Sequence, residues 1–104
     1  MEVIKRSGSK EAYDGEKIIA AMKGAFSDVG SDVTRDILLD LLSNVEEEIA
    51  ARSAESVEAI QDIVQESLMK QGFFAEAKAY ILYRHKRAEL RGVRKDIANA
   101  IVGE

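Results

Sequence analysis

Lys5, Arg6 and Lys17 are three cations arranged around one tight turn and one helix start, and side chains of that type in that order suit the binding of a polyanion. Each charge-assisted hydrogen bond from such a group to a phosphate contributes roughly 1.5 to 3 kcal/mol, so two or three suffice for micromolar binding. The backbone amides of the helix start add donors of their own. Lys and Arg beside a hairpin are also ordinary solvated residues, and the pattern alone leaves that alternative open.

The elements that must position these groups can be read from the same stretch. Val3 and Lys5 point to one face of a strand, Ile4 and Arg6 to the other. Ser7-Gly8-Ser9 reverses the chain, with Gly8 able to take a positive φ. Lys10 to Tyr13 returns as a second strand, and Asp14 is a good N-cap for a helix whose first turn carries Lys17. Ile18, Ile19, Met22, Ala25, Phe26 and Val29 give that helix one apolar face, with Gly30 as its stop. Ser31 is expected to cap a second helix with a stripe of Val33, Ile37, Leu38, Leu41, Leu42, Val45 and Ile49, leaving Glu46 to Glu48 on a solvated face.

Residues 52–56 suit either a loop or a short third strand. Val57, Ile60, Ile63, Val64, Leu68 and Met69 define a third helix that Gly72 ends. A fourth runs from about Phe73, with Phe74, Ala77, Ile81, Ala88 and Leu90 facing inward, and can continue past Gly92 through Val93, Ile97 and Ile101. With no proline and only short loops, the fold class expected is α+β and mostly helical. Its architecture is a four-helix bundle capped at one end by a small β-hairpin or three-stranded sheet.

A chain of 104 residues holds one modest core, and 46% hydrophobic with 33% charged residues marks an ordinary globular composition. No apolar run reaches the ~20 residues of a membrane span and no secretory leader is evident, so a cytoplasmic location without membrane association is expected. The absence of cysteine excludes disulfides, thiolate metal sites and thiol nucleophiles, and the single His85 cannot form a histidine cluster. A net charge of −4 makes direct nucleic-acid binding an unfavoured role. No Gly-x-x-x-x-Gly-Lys-Ser/Thr loop is present, and no positioned base for hydrolysis is evident.

Taken together, Val3-Ile4-Lys5-Arg6, Gly8, Tyr13-Asp14 and Lys17-Ile18, followed much later by Ala77-Lys78-Ala79-Tyr80-Ile81-Leu82-Tyr83-Arg84, resemble the ATP-cone, the nucleotide-binding regulatory domain of ribonucleotide reductases and of a repressor of their genes. The resemblance covers roughly residues 2–91. It departs from the family pattern at Ser7, where an acid or amide commonly precedes the turn glycine. It implies a nucleotide-binding domain over 1–91, with 92–104 as a helical extension or a junction to a catalytic part.

The same resemblance implies a site. Lys5, Lys17 and Arg6 would meet phosphate, Arg6 by reaching around from the opposite strand face or by pairing with an acid instead. Glu11 would accept a hydrogen bond from an adenine amino group or a ribose hydroxyl; from the residues alone it is a cross-strand ion pair. Val3 and Val57, with Ile60, suit either an apolar bed for the base or the core. Gln61 suits either a sugar or phosphate contact or an exposed helix face. Arg84 and Arg87, a turn apart, place one guanidinium at phosphate or snorkel. Tyr80 and Tyr83 read as packing residues. The implied effector is ATP or dATP, with Mg²⁺ arriving only with the nucleotide. The implied partners are a ribonucleotide reductase catalytic or radical-generating subunit and further copies of this chain, assembled in a nucleotide-dependent manner. The function implied is allosteric control without hydrolysis, not catalysis. The alternative is a helical protein-interaction or nucleic-acid-associated module without nucleotide.

Overall fold

The computed structural model describes residues 1–87. Two strands, β1 (Glu2–Ile4) and β2 (Lys10–Ala12), are followed by three helices, α1 (Gly15–Asp28), α2 (Arg35–Arg52) and α3 (Val57–Lys70). A fourth helix, α4, occupies 74–87. The expected α+β, mostly helical bundle with a small hairpin cap is the architecture found.

The hairpin is antiparallel, pairing Glu2 with Ala12, Val3 with Glu11 and Ile4 with Lys10. Its turn closes through Lys5 N–H to the Ser9 carbonyl at 2.8 Å and Gly8 N–H to the Lys5 carbonyl at 2.9 Å, with Gly8 at φ +89°. Two three-residue strands cannot stand alone in water, so the hairpin needs footing on the helices. Part of that footing is the segment before α3. Ile4 N–H donates to the Glu55 carbonyl at 2.7 Å, and Ile4 and Ser56 form a parallel bridge. Of the loop and the short third strand that 52–56 suited, the structure has a loop with a single bridge, because Ser56 is immediately committed to capping α3.

Side-chain caps start α1, α2 and α3. Asp14 accepts from Glu16 N–H at 3.0 Å, Thr34 from Ile37 N–H at 3.3 Å and Ser56 from Ala59 N–H at 3.1 Å. Thr34, not Ser31, caps α2. The Ser31 N–H is already used to close α1, donating to the Phe26 carbonyl at 2.9 Å while Gly30 N–H donates to Ser27 at 3.0 Å. The same paired closure ends α3, with Gly72 N–H to Met69 at 3.1 Å and Phe73 N–H to Leu68 at 2.9 Å. It also ends α2, where the left-handed position at φ +51° is taken by Ser53.

The core lies where α1, α2, α3 and α4 meet. Met22, Val45, Ile63, Val64 and Leu68 are fully buried, and Ala77 and Tyr80 bring α4 into the same cluster. Phe73 packs edge-on against Phe26, ring centroids 5.0 Å apart. Phe74, expected inside, is 70% exposed: Phe73 sits in the closure of α3 and takes the inward place, so the next side chain turns outward. Val29, Ile37 and Met69 likewise sit at the rim of their stripes and are exposed. The solvated face expected at Glu46 to Glu48 is engaged at both ends: Glu46 accepts from the Tyr13 hydroxyl at 2.8 Å and Glu48 pairs with Arg52 at 2.9 Å. Ala88, Leu90, Val93, Ile97 and Ile101 lie outside the described residues. Among the described residues no helix is long and apolar enough to cross a membrane.

Candidate functional site

Between the hairpin and the bundle runs a cleft of about 980 Å³. Its lining draws on β1, the turn, β2, one face of α1, the start of α3 and the inner face of α4. That volume sits at the upper end of small-molecule pockets, roughly 300 to 1,000 Å³. All nine residues expected to form the site line it: Val3, Lys5, Arg6, Glu11, Lys17, Val57, Gln61, Arg84 and Arg87.

At the hairpin end, Lys5 Nζ and Lys17 Nζ approach one and the same oxygen, Glu11 Oε2, at 3.3 and 3.4 Å. Lys5 arrives from the residue after β1 and Lys17 from the first turn of α1, where the Asp14 cap fixes the helix start. The hydrogen bond from Lys5, together with the contact from Lys17, holds the Glu11 carboxyl below its ordinary value. The cross-strand pair expected of Glu11 is present, and it extends to a second element.

Arg6, assigned by strand alternation to the face opposite Lys5, nevertheless lines the cleft. Alternation ends with β1 at Ile4, and the turn geometry aims Arg6 toward α3, where Nε meets Glu58 Oε1 at 2.9 Å. Val3 is both a core residue and a cleft wall, being only 6% exposed. Val57 is half-buried against the same cluster.

At the α4 end, Gln61 is half-buried, which excludes the exposed-helix alternative, and its Oε1 accepts from Arg84 Nε at 3.2 Å. The Arg84 NH1 nitrogen donates further to Asp62 at 2.9 Å and Gln65 at 3.0 Å. Arg84 therefore joins α4 to α3 as well as facing the cleft. Arg87 lies over the Tyr83 ring, 5.8 Å from its centroid, and donates to the Tyr83 hydroxyl at 3.2 Å. Tyr80 also lines the cleft, and burial pushes its phenol up to about 12.

Tyr80 and Tyr83, which read from the sequence as packing residues, both line the cleft, and Tyr83 is 39% exposed there. The long wall is the face of α1 carrying Ala21, Gly24 and Ala25. Their signal is small side chains at helical spacing, and a Cβ added at Gly24 would meet nothing within 4 Å. Among the described residues, no group of three carboxylate or imidazole side chains is placed to hold a metal ion.

Residues 1–89 match the family model of the ATP cone domain. The chain is 36% identical over 105 residues to a ribonucleoside-diphosphate reductase subunit alpha of Treponema pallidum, covering 94% of this chain and 12% of that protein. It is 35% identical over 107 residues to a vitamin B12-dependent ribonucleoside-diphosphate reductase of Thermoplasma acidophilum, covering 92% and 14%. It is 34% identical over 104 residues to an anaerobic ribonucleoside-triphosphate reductase of Haemophilus influenzae, covering 97% and 14%. The chain thus spans a small fraction of the length of each relative. With a family match over most of its residues, the chain belongs to the ATP-cone family.

Proposed function

We propose that this domain holds ATP or dATP in the cleft beneath the hairpin, does not hydrolyse it, and so controls the activity of a ribonucleotide reductase, attached or as a partner. The observation that carries the reading is the single oxygen of Glu11 gripped by two ammonium groups from different elements, a place sized and charged for an anionic oxygen. Lys5, Lys17 and the opening turn of α1 take the phosphates, with Arg6 able to leave Glu58 and join them. Val3 and Val57 form the bed for the base, Gln61 reaches the sugar or phosphate, and Arg84 or Arg87 closes the far end. Magnesium comes with the triphosphate.

Regulation requires that the ligand bind two arrangements unequally, since equal affinity shifts no equilibrium. ATP and dATP differ at one hydroxyl, so the difference must be amplified by repacking an interface. We assign that interface to the last helix and to 92–104, as the join to another copy or to a reductase catalytic or radical-generating subunit, in the cytoplasm. Residues 1–91 then form the nucleotide-binding unit, and the reductase chemistry belongs elsewhere.

Calorimetric titration with ATP, dATP, ADP and GTP tests the reading. Saturable binding of the adenine triphosphates, with GTP clearly weaker, is the expected result. A flat response to all four would overturn it and favour a protein-interaction module. Sedimentation with and without dATP tests the assembly step, where an unchanged mass would count against ligand-driven association.

A further inference from the structure

Glu11 is an anion placed inside a seat built of cations. Its Oε2 is the common partner of Lys5 Nζ and Lys17 Nζ, and the residue is itself part of the cleft wall. An ammonium paired with a carboxylate has part of its charge already neutralised, and that carboxylate repels an arriving anion unless it moves aside. We propose that Glu11 is the resident counter-anion of the phosphate seat: its carboxylate holds, in the empty cleft, the position between Lys5 and Lys17 that a phosphate oxygen takes in the filled one, and so sets the affinity for polyphosphate below what the two lysines alone would give. This rests on the reading of the cleft as a phosphate site.

Three observations favour this over a plain cross-strand pair. A cross-strand pair needs only Lys5, but Lys17 on α1 converges on the same oxygen rather than on the other one. Both lysines are about half or more exposed, 48% and 65%, so each can turn to a ligand without unpacking. The neighbouring acid of α1, Glu16, shares none of this: it pairs with Arg35 at 2.7 Å and takes no part in the cleft wall.

The test is Glu11→Gln, which keeps the size of the side chain and removes its charge. Inorganic tripolyphosphate, which has phosphates but no base or sugar, is titrated at low ionic strength into the wild-type chain, E11Q and E16Q. E11Q is expected to bind about tenfold more tightly than wild type, the low end of one charge-assisted contact. E16Q, with the same change in net charge, is expected to stay within about twofold, because an exposed charge outside the seat is screened. Circular dichroism melting confirms that the variants are folded. Equal or weaker binding by E11Q, no detectable binding by any of the three chains, or an equal gain in E16Q would overturn the proposal. ATP titrated into the wild type separates the two ideas: ATP binding without a gain in E11Q sinks only the counter-anion, whereas no ATP binding sinks the phosphate seat itself.

Discussion

Arg84 on α4 lies 2.9 Å from Asp62 on α3, and the same guanidinium also bonds Gln61 and Gln65. A residue at the mouth of the cleft is thereby part of the joint between two helices. Arg87, three residues on, has its described contacts with Tyr83 on its own helix. The two arginines should therefore separate. Arg84→Ala is expected to lower stability by about 1 to 3 kcal/mol as well as ligand affinity. Arg87→Ala should change stability by less than about 0.5 kcal/mol. Chemical denaturation of both variants reads the difference.

Lys5→Ala and Lys17→Ala should each weaken ATP binding by about 1 to 3 kcal/mol in calorimetry, through loss of a charge-assisted contact. Lys10 is the internal control. It is exposed on β2 opposite Ile4 and is not part of the cleft wall. Lys10→Ala should leave affinity within about twofold, since a solvated charge outside the site is largely screened. A loss equal to that of the other two would mean that general attraction, not the seat, dominates.

Tyr80 gives the domain an alkaline limb. Burial pushes its phenol from an ordinary 10.0 up to about 12. An acid whose folded value is raised stabilises the fold fully below the unfolded value. That contribution fades as pH climbs toward the folded value, because the unfolded chain ionises first. Stability should therefore fall between about pH 10 and pH 12 by on the order of 2 to 3 kcal/mol from this residue. Tyr80→Phe should flatten that part of the curve when melting is followed against pH.

Ser53 holds a left-handed conformation at φ +51° where α2 ends, a place that usually favours glycine. Ser53→Gly should raise stability by about 0.5 to 1 kcal/mol by removing the Cβ strain. Differential scanning calorimetry should show Tm higher by a few degrees.

What the sequence made legible is mostly local. Asp14, Gly30 and Gly72 mark helix ends because caps and left-handed stops act within a turn of themselves. The convergence of Lys5 and Lys17 was legible because a short hairpin leads straight into α1. Alternation failed for Arg6 because its strand had already ended. Phe73 and Phe74 are adjacent and both apolar, and only the α3 closure decides which turns inward. Tyr13 with Glu46, and Arg84 with its three partners on α3, are pairings distant in the chain that no local pattern carries. The small-residue wall at Ala21, Gly24 and Ala25 was visible as spacing, but its meaning depends on the neighbours that leave it open.

Besides the backbone bond from Ile4 to Glu55, side chains tie the hairpin and its flanks to three helices: Glu11 to Lys17 on α1, Tyr13 to Glu46 on α2 and Arg6 to Glu58 on α3. Sliding any one helix past its neighbours must stretch one leg of this tripod while the other two stay planted. If a nucleotide sits beneath the hairpin, its pull reaches all three helices through these contacts.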